Sequence, residues 1–232
     1  MTNENSCKVF YVYYNYLNLK LKFYLFEMIQ NIFLPIIKNK IGSFFVLMII
    51  EDFIKISKKV EENNFFFLYQ IQVIGRHPNE AIQEKNKVHR IIIKSFYEII
   101  TDINGCNFLI SYYQLNNNHF QKAEIFETSL KNARFLLKQF PSNFLFNFLI
   151  SMNQKKFNKK LLDYISKSPI EYCNNEISSG IILNLLDFNY DFRILIREIV
   201  NQGFNQIFSN IYGNKSKFIL FFNFSYFQTS QM

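Results

Sequence analysis

Three histidines and three cysteines are the side chains of this sequence best suited to metal or nucleophilic chemistry, and their spacing rules most of it out. His77, His89 and His119 are scattered, and no His-Glu-x-x-His, Cys-x-x-Cys, Walker loop or Gly-x-Gly-x-x-Gly string is present. A metal needs several such ligands converging at fixed spacing, so neither a metal nor a cofactor is expected. The nearest acid pairs, Glu51-Asp52 and Glu61-Glu62, are adjacent in sequence. Neighbours on a helix point about 100° apart and do not converge on one substrate. The chain reads as a binder and not as an enzyme. Cys7, Cys106 and Cys173 are odd in number and far apart, which makes no disulfide framework. They point to a reducing compartment, the cytoplasm or the nucleus and nucleolus.

What recurs is a small polar side chain in a fixed setting. The stretch Asp102-Ile103-Asn104-Gly105-Cys106-Asn107-Phe108-Leu109-Ile110 returns, degenerate, as 139–146, 176–183 and 210–217. With Cys106, Ser142, Ser179 and Asn214 taken as equivalent, the spacings are 142 − 106 = 36, 179 − 142 = 37 and 214 − 179 = 35. A recurrence of that length means stacked supersecondary units rather than one globular core.

The elements that position these residues follow from periodicity. Two, three, six and seven residues after each anchor stand Phe108, Leu109, Tyr112, Tyr113; Phe144, Leu145, Phe148, Leu149; and Ile181, Ile182, Leu185, Leu186. Such spacing is one face of an α-helix. The fourth copy, Ser216, Lys217, Leu220 and Phe221, has half that face. A second apolar run precedes each anchor, for example Ile92, Phe96, Ile99, Ile100 and Leu161, Leu162, Ile165. Each unit is therefore helix, short loop, helix. One pair cannot bury both apolar faces alone, so neighbours stack. The expected fold is all-α, a right-handed α-solenoid of helix pairs with repeats of about 36 residues.

The sequence divides into an atypical segment 1–22, irregular helical units over 23–86, four repeats over 87–222 and a tail at 223–232. Ser43, followed by Phe45, Val46, Ile49 and Ile50, repeats the anchor pattern. It lies 106 − 43 = 63 residues before Cys106, so a shortened unit is expected between them, with Asn64-Phe65-Phe66-Phe67-Leu68 in its second helix. The apolar runs at 23–37 and 41–50 are interrupted or short, whereas a membrane span needs about twenty apolar residues. A membrane partner is not expected, and no small-molecule substrate is evident. Lys+Arg exceeds Asp+Glu by 26 − 18 = 8, which favours polyanionic partners.

The anchor strings, Asp-x-Asn-Gly-Cys-Asn-Phe-Leu at 102–109 and Tyr-Gly-Asn at 212–214, resemble the start of the second helix in Pumilio/Puf RNA-binding repeats. That family runs Gly, two variable polar residues, two apolar ones and a Gln, and the resemblance covers roughly residues 88–222. It implies an armadillo-type superhelix that reads single-stranded RNA at about one base per repeat, in post-transcriptional regulation. Carried to matching positions, the base contacts would be Cys106 with Asn107, Ser142 with Asn143, Ser179 with Gly180, and Asn214 with Lys215. Lys131, Arg134, Lys138, Lys159 and Lys160, among other basic residues, would meet phosphates. Where the family carries Gln or Glu, this chain has Ile110, Phe146, Leu183 and Phe218. That apolar row fits the alternative, an armadillo/HEAT-type scaffold gripping a protein partner, or packing between units.

Overall fold

The computed structural model of the protein describes residues 4–62, 64–73, 79–152, 154–186, 193–203 and 212. They are helical or in turns, with no strand among them. The helices are α1 (Glu4–Tyr16), α2 (Leu19–Asn31), α3 (Phe33–Ile37), α4 (Lys40–Glu61), α5 (Phe65–Val73), α6 (Glu80–Lys94), α7 (Phe96–Ile100), α8 (Ile103–Leu115), α9 (His119–Lys131), α10 (Ala133–Leu136), α11 (Phe140–Ser151), α12 (Lys155–Ile165), α13 (Pro169–Cys173), α14 (Glu176–Leu186) and α15 (Arg193–Gly203). Two compact units, 1–125 and 126–232, divide the chain within α9. None of the described helices is long and apolar enough to cross a membrane.

The repeating element is finer than a helix pair: it is long helix, one-turn helix, long helix. The sets are α2-α3-α4, α6-α7-α8, α9-α10-α11 and α12-α13-α14. Single residues make the first three breaks, Ile32 at φ −122°, ψ 24°, Ser95 at φ −100°, ψ 15°, and Asn132 at φ −99°, ψ 6°. Each leaves the α-helical basin with one residue, so the apolar stripe continues past the break and sequence periodicity runs straight through it. Between α12 and α13 the break is Ser166–Ser168, ahead of Pro169, whose ring favours a helix's first turn and opposes continuation from before it. Between the first and second sets, where a shortened unit was expected, the described residues hold α5, a nine-residue helix packed on α4.

The second long helix of each set starts in one way. Asn39 accepts from the amides of Ile41 and Gly42, Asp102 from Asn104 and Gly105, and Asn175 from Ile177 and Ser178. These are side-chain N-caps. Gln139 caps α11 without such a bond, because Pro141 has removed one of the two amides that a short cap would satisfy. Counting from the cap, positions +6, +7, +10 and +11 are buried throughout: Phe45, Val46, Ile49, Ile50; Phe108, Leu109, Tyr112, Tyr113; Leu145, Phe146, Leu149, Ile150; Ile181, Ile182, Leu185, Leu186.

In the first unit α4 packs against both α6 and α8, with α3 and α7 tucked under the starts of α4 and α8. In the second, α11 and α14 form one layer, and α12 and α15 form the other. The core lies between those layers, where Phe157 of α12 meets Phe146 of α11 and Asn158 donates to the carbonyl of Ile150. Each layer therefore keeps one wet face, and the two wet faces of this unit look in opposite directions.

Candidate functional site

The caps set the register of the site and move one repeat by a residue. Cap spacings are 102 − 39 = 63, 139 − 102 = 37 and 175 − 139 = 36. Cys106 and Ser179 stand four residues after their caps, but Ser142 stands three after Gln139. Its structural equivalents are Gly42, Gly105 and Ser178, and the true counterpart of Cys106 is Asn143.

Position +3 is where the second long helix touches the one-turn helix before it. The hydroxyl of Ser142 donates to the carbonyl of Leu136, and that of Ser178 to Tyr172 at 2.7 Å. At Gly42 and Gly105 a Cβ would lie 2.4 Å and 2.0 Å from the equivalent carbonyls of Ile36 and Ile99. Small residues recur here because a backbone oxygen occupies the space. Position +4 is also internal. The Cys106 thiol is fully buried, donates to the carbonyl of Ile100 at 3.1 Å, and is pushed up to about 12 by its burial and the nearby Asp102. Ser43 and Ser179 return their hydroxyls to Lys40 and Glu176 carbonyls at 2.8 Å and 2.9 Å. Cys106 and Ser142, expected to face a ligand, thus spend their polar atoms on the one-turn helices before α8 and α11, and Ser179, expected there too, spends its hydroxyl on the first turn of α14. Asn214 and Lys215 lie outside the described residues.

The wet face of each second helix is formed by positions +5, +8, +9 and +12. In the first unit these are Phe44, Leu47, Met48 and Glu51 on α4, and Asn107, Ile110, Ser111 and Gln114 on α8. In the second unit they are Phe144, Asn147, Phe148 and Ser151 on α11, then Gly180, Leu183 and Asn184 on α14. Phe146, expected in an exposed row with Ile110, Leu183 and Phe218, is fully buried instead, and Phe218 is outside the described residues. Ile110 and Leu183 are half-buried.

The shifted register changes what α11 offers. Ser142, Asn143, Phe144, Leu145, Phe146 and Asn147 now stand where the Puf pattern has Gly, two variable residues, two apolar ones and Gln. Asn143 and Asn147 are one helical turn apart on one side, with Phe144 beside them. Phe144 is 39% exposed and meets Phe140, 59% exposed, edge to face at 5.6 Å. Asn184 Nδ2 donates to Asn147 Oδ1 at 2.8 Å, which ties α14 to α11 and leaves the Asn147 Nδ2 protons for a ligand. Asn143 Oδ1 is buried without a hydrogen-bond partner. An aromatic plate with the Asn147 amide beside it can stack on a planar heterocycle and bond its edge. Sequence periodicity missed Phe144 and Asn147 as a set; Pro141, which fixes the start of α11, was the signal for the shift.

The basic candidates sit on other elements. Lys131 ends α9, Arg134 is on α10, and Lys159 and Lys160 are on α12, all exposed. Lys138 pairs with Glu171 and lies 5.7 Å from the centroid of the Tyr172 ring, and Lys160 pairs with Glu127 at 2.5 Å.

A separate polar cluster lies inside the first unit. His89 on α6 is buried, with Nδ1 3.1 Å from the Tyr112 hydroxyl and Nε2 2.9 Å from Glu124. Tyr112 also accepts from Asn116, and Asn116 donates to Gln121, which donates to Asn86. A neutral ring accepting from Tyr112 and donating to Glu124 satisfies every partner. Burial lowers the pKa of His89, against the opposing pull of Glu124. The cluster is a structural tie between α6, α8 and α9. Among the described residues no three His, Cys, Asp or Glu side chains gather as a metal site would require.

This arrangement defines a class of fold before it defines a ligand: an all-α solenoid whose second helices present one wet stripe per repeat. Solved structures share the fold, among them two of Puf4. One is the Puf4 RNA binding domain bound to the HO endonuclease RNA 3′ UTR recognition sequence, with TM-score 0.67 and 12% identity over 96% of this chain. The other is a Puf4 double mutant bound to the Cox17 RNA 3′ UTR recognition sequence, with TM-score 0.51 and 16% identity over 86% of this chain and 84% of that one. This chain spans 61% of the length of the first. In fold the protein is a Pumilio/Puf-like helical repeat. No protein-family model and no curated protein matches its sequence.

Proposed function

We propose that the protein is a non-enzymatic single-stranded RNA binder, and that the face of α11 and α14 contacts bases. The observation that supports this reading is the register of α11, in which Asn143 and Phe144 match the two variable positions of the Puf pattern and Asn147 matches its Gln. Phe144 stacks on a base, the free Asn147 donors meet an acceptor on its edge, and Asn184 holds Asn147 in place. On α14, Gly180 and Leu183 provide no plate and no amide, so a second base there is held without being read. The Puf-like fold and the excess of basic residues support the same ligand.

The test is a filter-binding titration of the full chain with a randomised single-stranded RNA pool at two salt concentrations. Phe144→Ala should lose about 1–3 kcal/mol of binding, the usual worth of one stacked base. Asn147→Leu should flatten the preference at one position of the selected sequence, at a cost of about 1 kcal/mol in stability from the lost Asn184 bond. Absence of binding at low salt ends this reading. The apolar stripe of Phe44, Leu47 and Met48 on α4 favours a second one, a scaffold that grips an apolar segment of a protein. A pull-down returning one stoichiometric protein after nuclease treatment, and lost in Phe44→Ser/Met48→Ser, would select it.

A further inference from the structure

Among the described residues of the second unit, lysines gather on α12, away from the α11–α14 amides. Residues 126–167 hold eight Lys and Arg against two acids, Glu127 and Asp163, so this stretch supplies 8 − 2 = 6 of the chain's net +8. Half of them are Lys155, Lys156, Lys159 and Lys160, all exposed within the first six residues of α12. Isolated helix physics disfavours this placement. Cations near a helix N-terminus oppose its dipole, and Lys155 with Lys159 and Lys156 with Lys160 are like-charged neighbours one turn apart.

The fold offers little local relief. Lys160 pairs with Glu127, and Lys156 and Lys131 bear on the same carboxylate, so three ammonium groups share one acid. No acid among the described residues pairs with Lys155 or Lys159. The opposite side of α12 is committed to the core through Phe157, Asn158, Leu161 and Ile165. The lysine side therefore looks outward from the α12–α15 layer, on the far side of the unit from Phe144 and Asn147.

We propose that this outer lysine face is a second nucleic-acid contact, a site for phosphodiester backbone that does not read sequence. Backbone is favoured over an acidic protein by what α12 presents there. Phe157 and Asn158, the residues between the lysines that could anchor a protein partner, are both buried. Stable protein interfaces are built on aromatic and Arg anchors and are depleted in Lys, whereas phosphate contacts are made by Lys and Arg together with released counterions. The ammonium group is a compact charge that accepts phosphates in many geometries, which suits a surface that holds strand without choosing it. This goes beyond the base-contacting face and stands or falls without it.

The experiment measures binding of the full chain to poly(A) over a salt series. Lys155→Gln/Lys156→Gln/Lys159→Gln/Lys160→Gln should lower the slope of log Kobs against log salt by about 2–3, since each single-strand phosphate contact contributes ~0.7. At about 0.15 M salt that loss amounts to roughly a hundredfold in affinity. Lys155→Gln/Lys159→Gln breaks no ion pair, guards against a fold defect in the larger variant, and should lower the slope by about 1.4. Phe144→Ala should leave the slope unchanged, so failure of the base-contacting reading is separable from failure of this one. An unaltered slope in both lysine variants overturns the proposal. So does polyglutamate that binds more tightly than poly(A) and is lost in the same variants, because that assigns the face to an acidic protein.

Discussion

Replacing Gly105 by Ala tests the joint on which the site register depends. Away from contacts, Gly→Ala inside a helix gains about 1 kcal/mol, because alanine loses less backbone entropy on folding. At Gly105 the new methyl would lie 2.0 Å from the carbonyl oxygen of Ile99 and 2.9 Å from its carbon. Both are backbone atoms of α7, so no side-chain rotation relieves the clash, and α7 and α8 must separate by more than 1 Å to reach ordinary contact at 3.4 Å or beyond. Overpacking of this kind costs about 1–3 kcal/mol, and a backbone obstacle belongs at the upper end. Set against the propensity gain, the net expectation is a loss of about 2 kcal/mol. Gly180 is the internal control, since it also sits inside a helix but has nothing within 4 Å of its would-be Cβ. Gly180→Ala should stabilise by about 0.5–1 kcal/mol. Urea unfolding of the two variants beside the parent gives both numbers. A neutral or stabilised Gly105→Ala protein would refute the close approach of α7 to α8, and with it the cap-based register.

Ser178→Ala should cost about 1–2 kcal/mol, because the buried carbonyl of Tyr172 loses the hydroxyl, and Ser142→Ala should cost less, because the Leu136 carbonyl keeps the amide of Gln139; equal midpoints for parent and Ser178→Ala in thermal melts would contradict this. Gln139→Asp should add about 0.5–1 kcal/mol by supplying the cap that α11 lacks, with one amide, that of Ser142, within its reach; circular dichroism melts decide the sign. Stability should fall on acidification through His89. Its folded pKa lies below the ordinary histidine value of about 6.5, so the unfolded chain takes up the proton first as pH drops. The contribution is complete above about pH 6.5 and is lost as pH falls from there through the folded pKa. Denaturation midpoints at about pH 7.5 and about pH 5.5 should differ less in His89→Gln than in the parent.

Much of this architecture is written locally. Asp102 ahead of Asn104-Gly105 announces a helix start, and Phe108-Leu109 with Tyr112-Tyr113 announces its buried face, so α8 and its burial were legible from residues alone. The same holds for Ile181-Ile182 and Leu185-Leu186 on α14. In α11 the pattern degenerates. Phe144-Leu145-Phe146-Asn147-Phe148-Leu149-Ile150 is apolar on nearly every side, so two faces one residue apart fit the helical period equally well. The breaks at Ser95 and Asn132 are also silent, because one residue outside the helical basin leaves the apolar stripe in phase.

The sequence by itself determined that this protein is a stack of short helical units, since apolar pairs and their recurrence act over a few residues. Tertiary packing decided which side of α11 is buried, because α12 brings Phe157 against Phe146 and the amide of Asn158 to the carbonyl of Ile150, and α14 packs beside them. It also decided that Cys106 and Ser142 tie helix starts to the one-turn helices before them, since their partners are carbonyls that only the folded joint brings within reach, whereas Ser179 bonds back within its own helix. The separation of lysines from amides has the same origin. Two helices share one core, and whatever polar chemistry each carries is left on opposite sides of it.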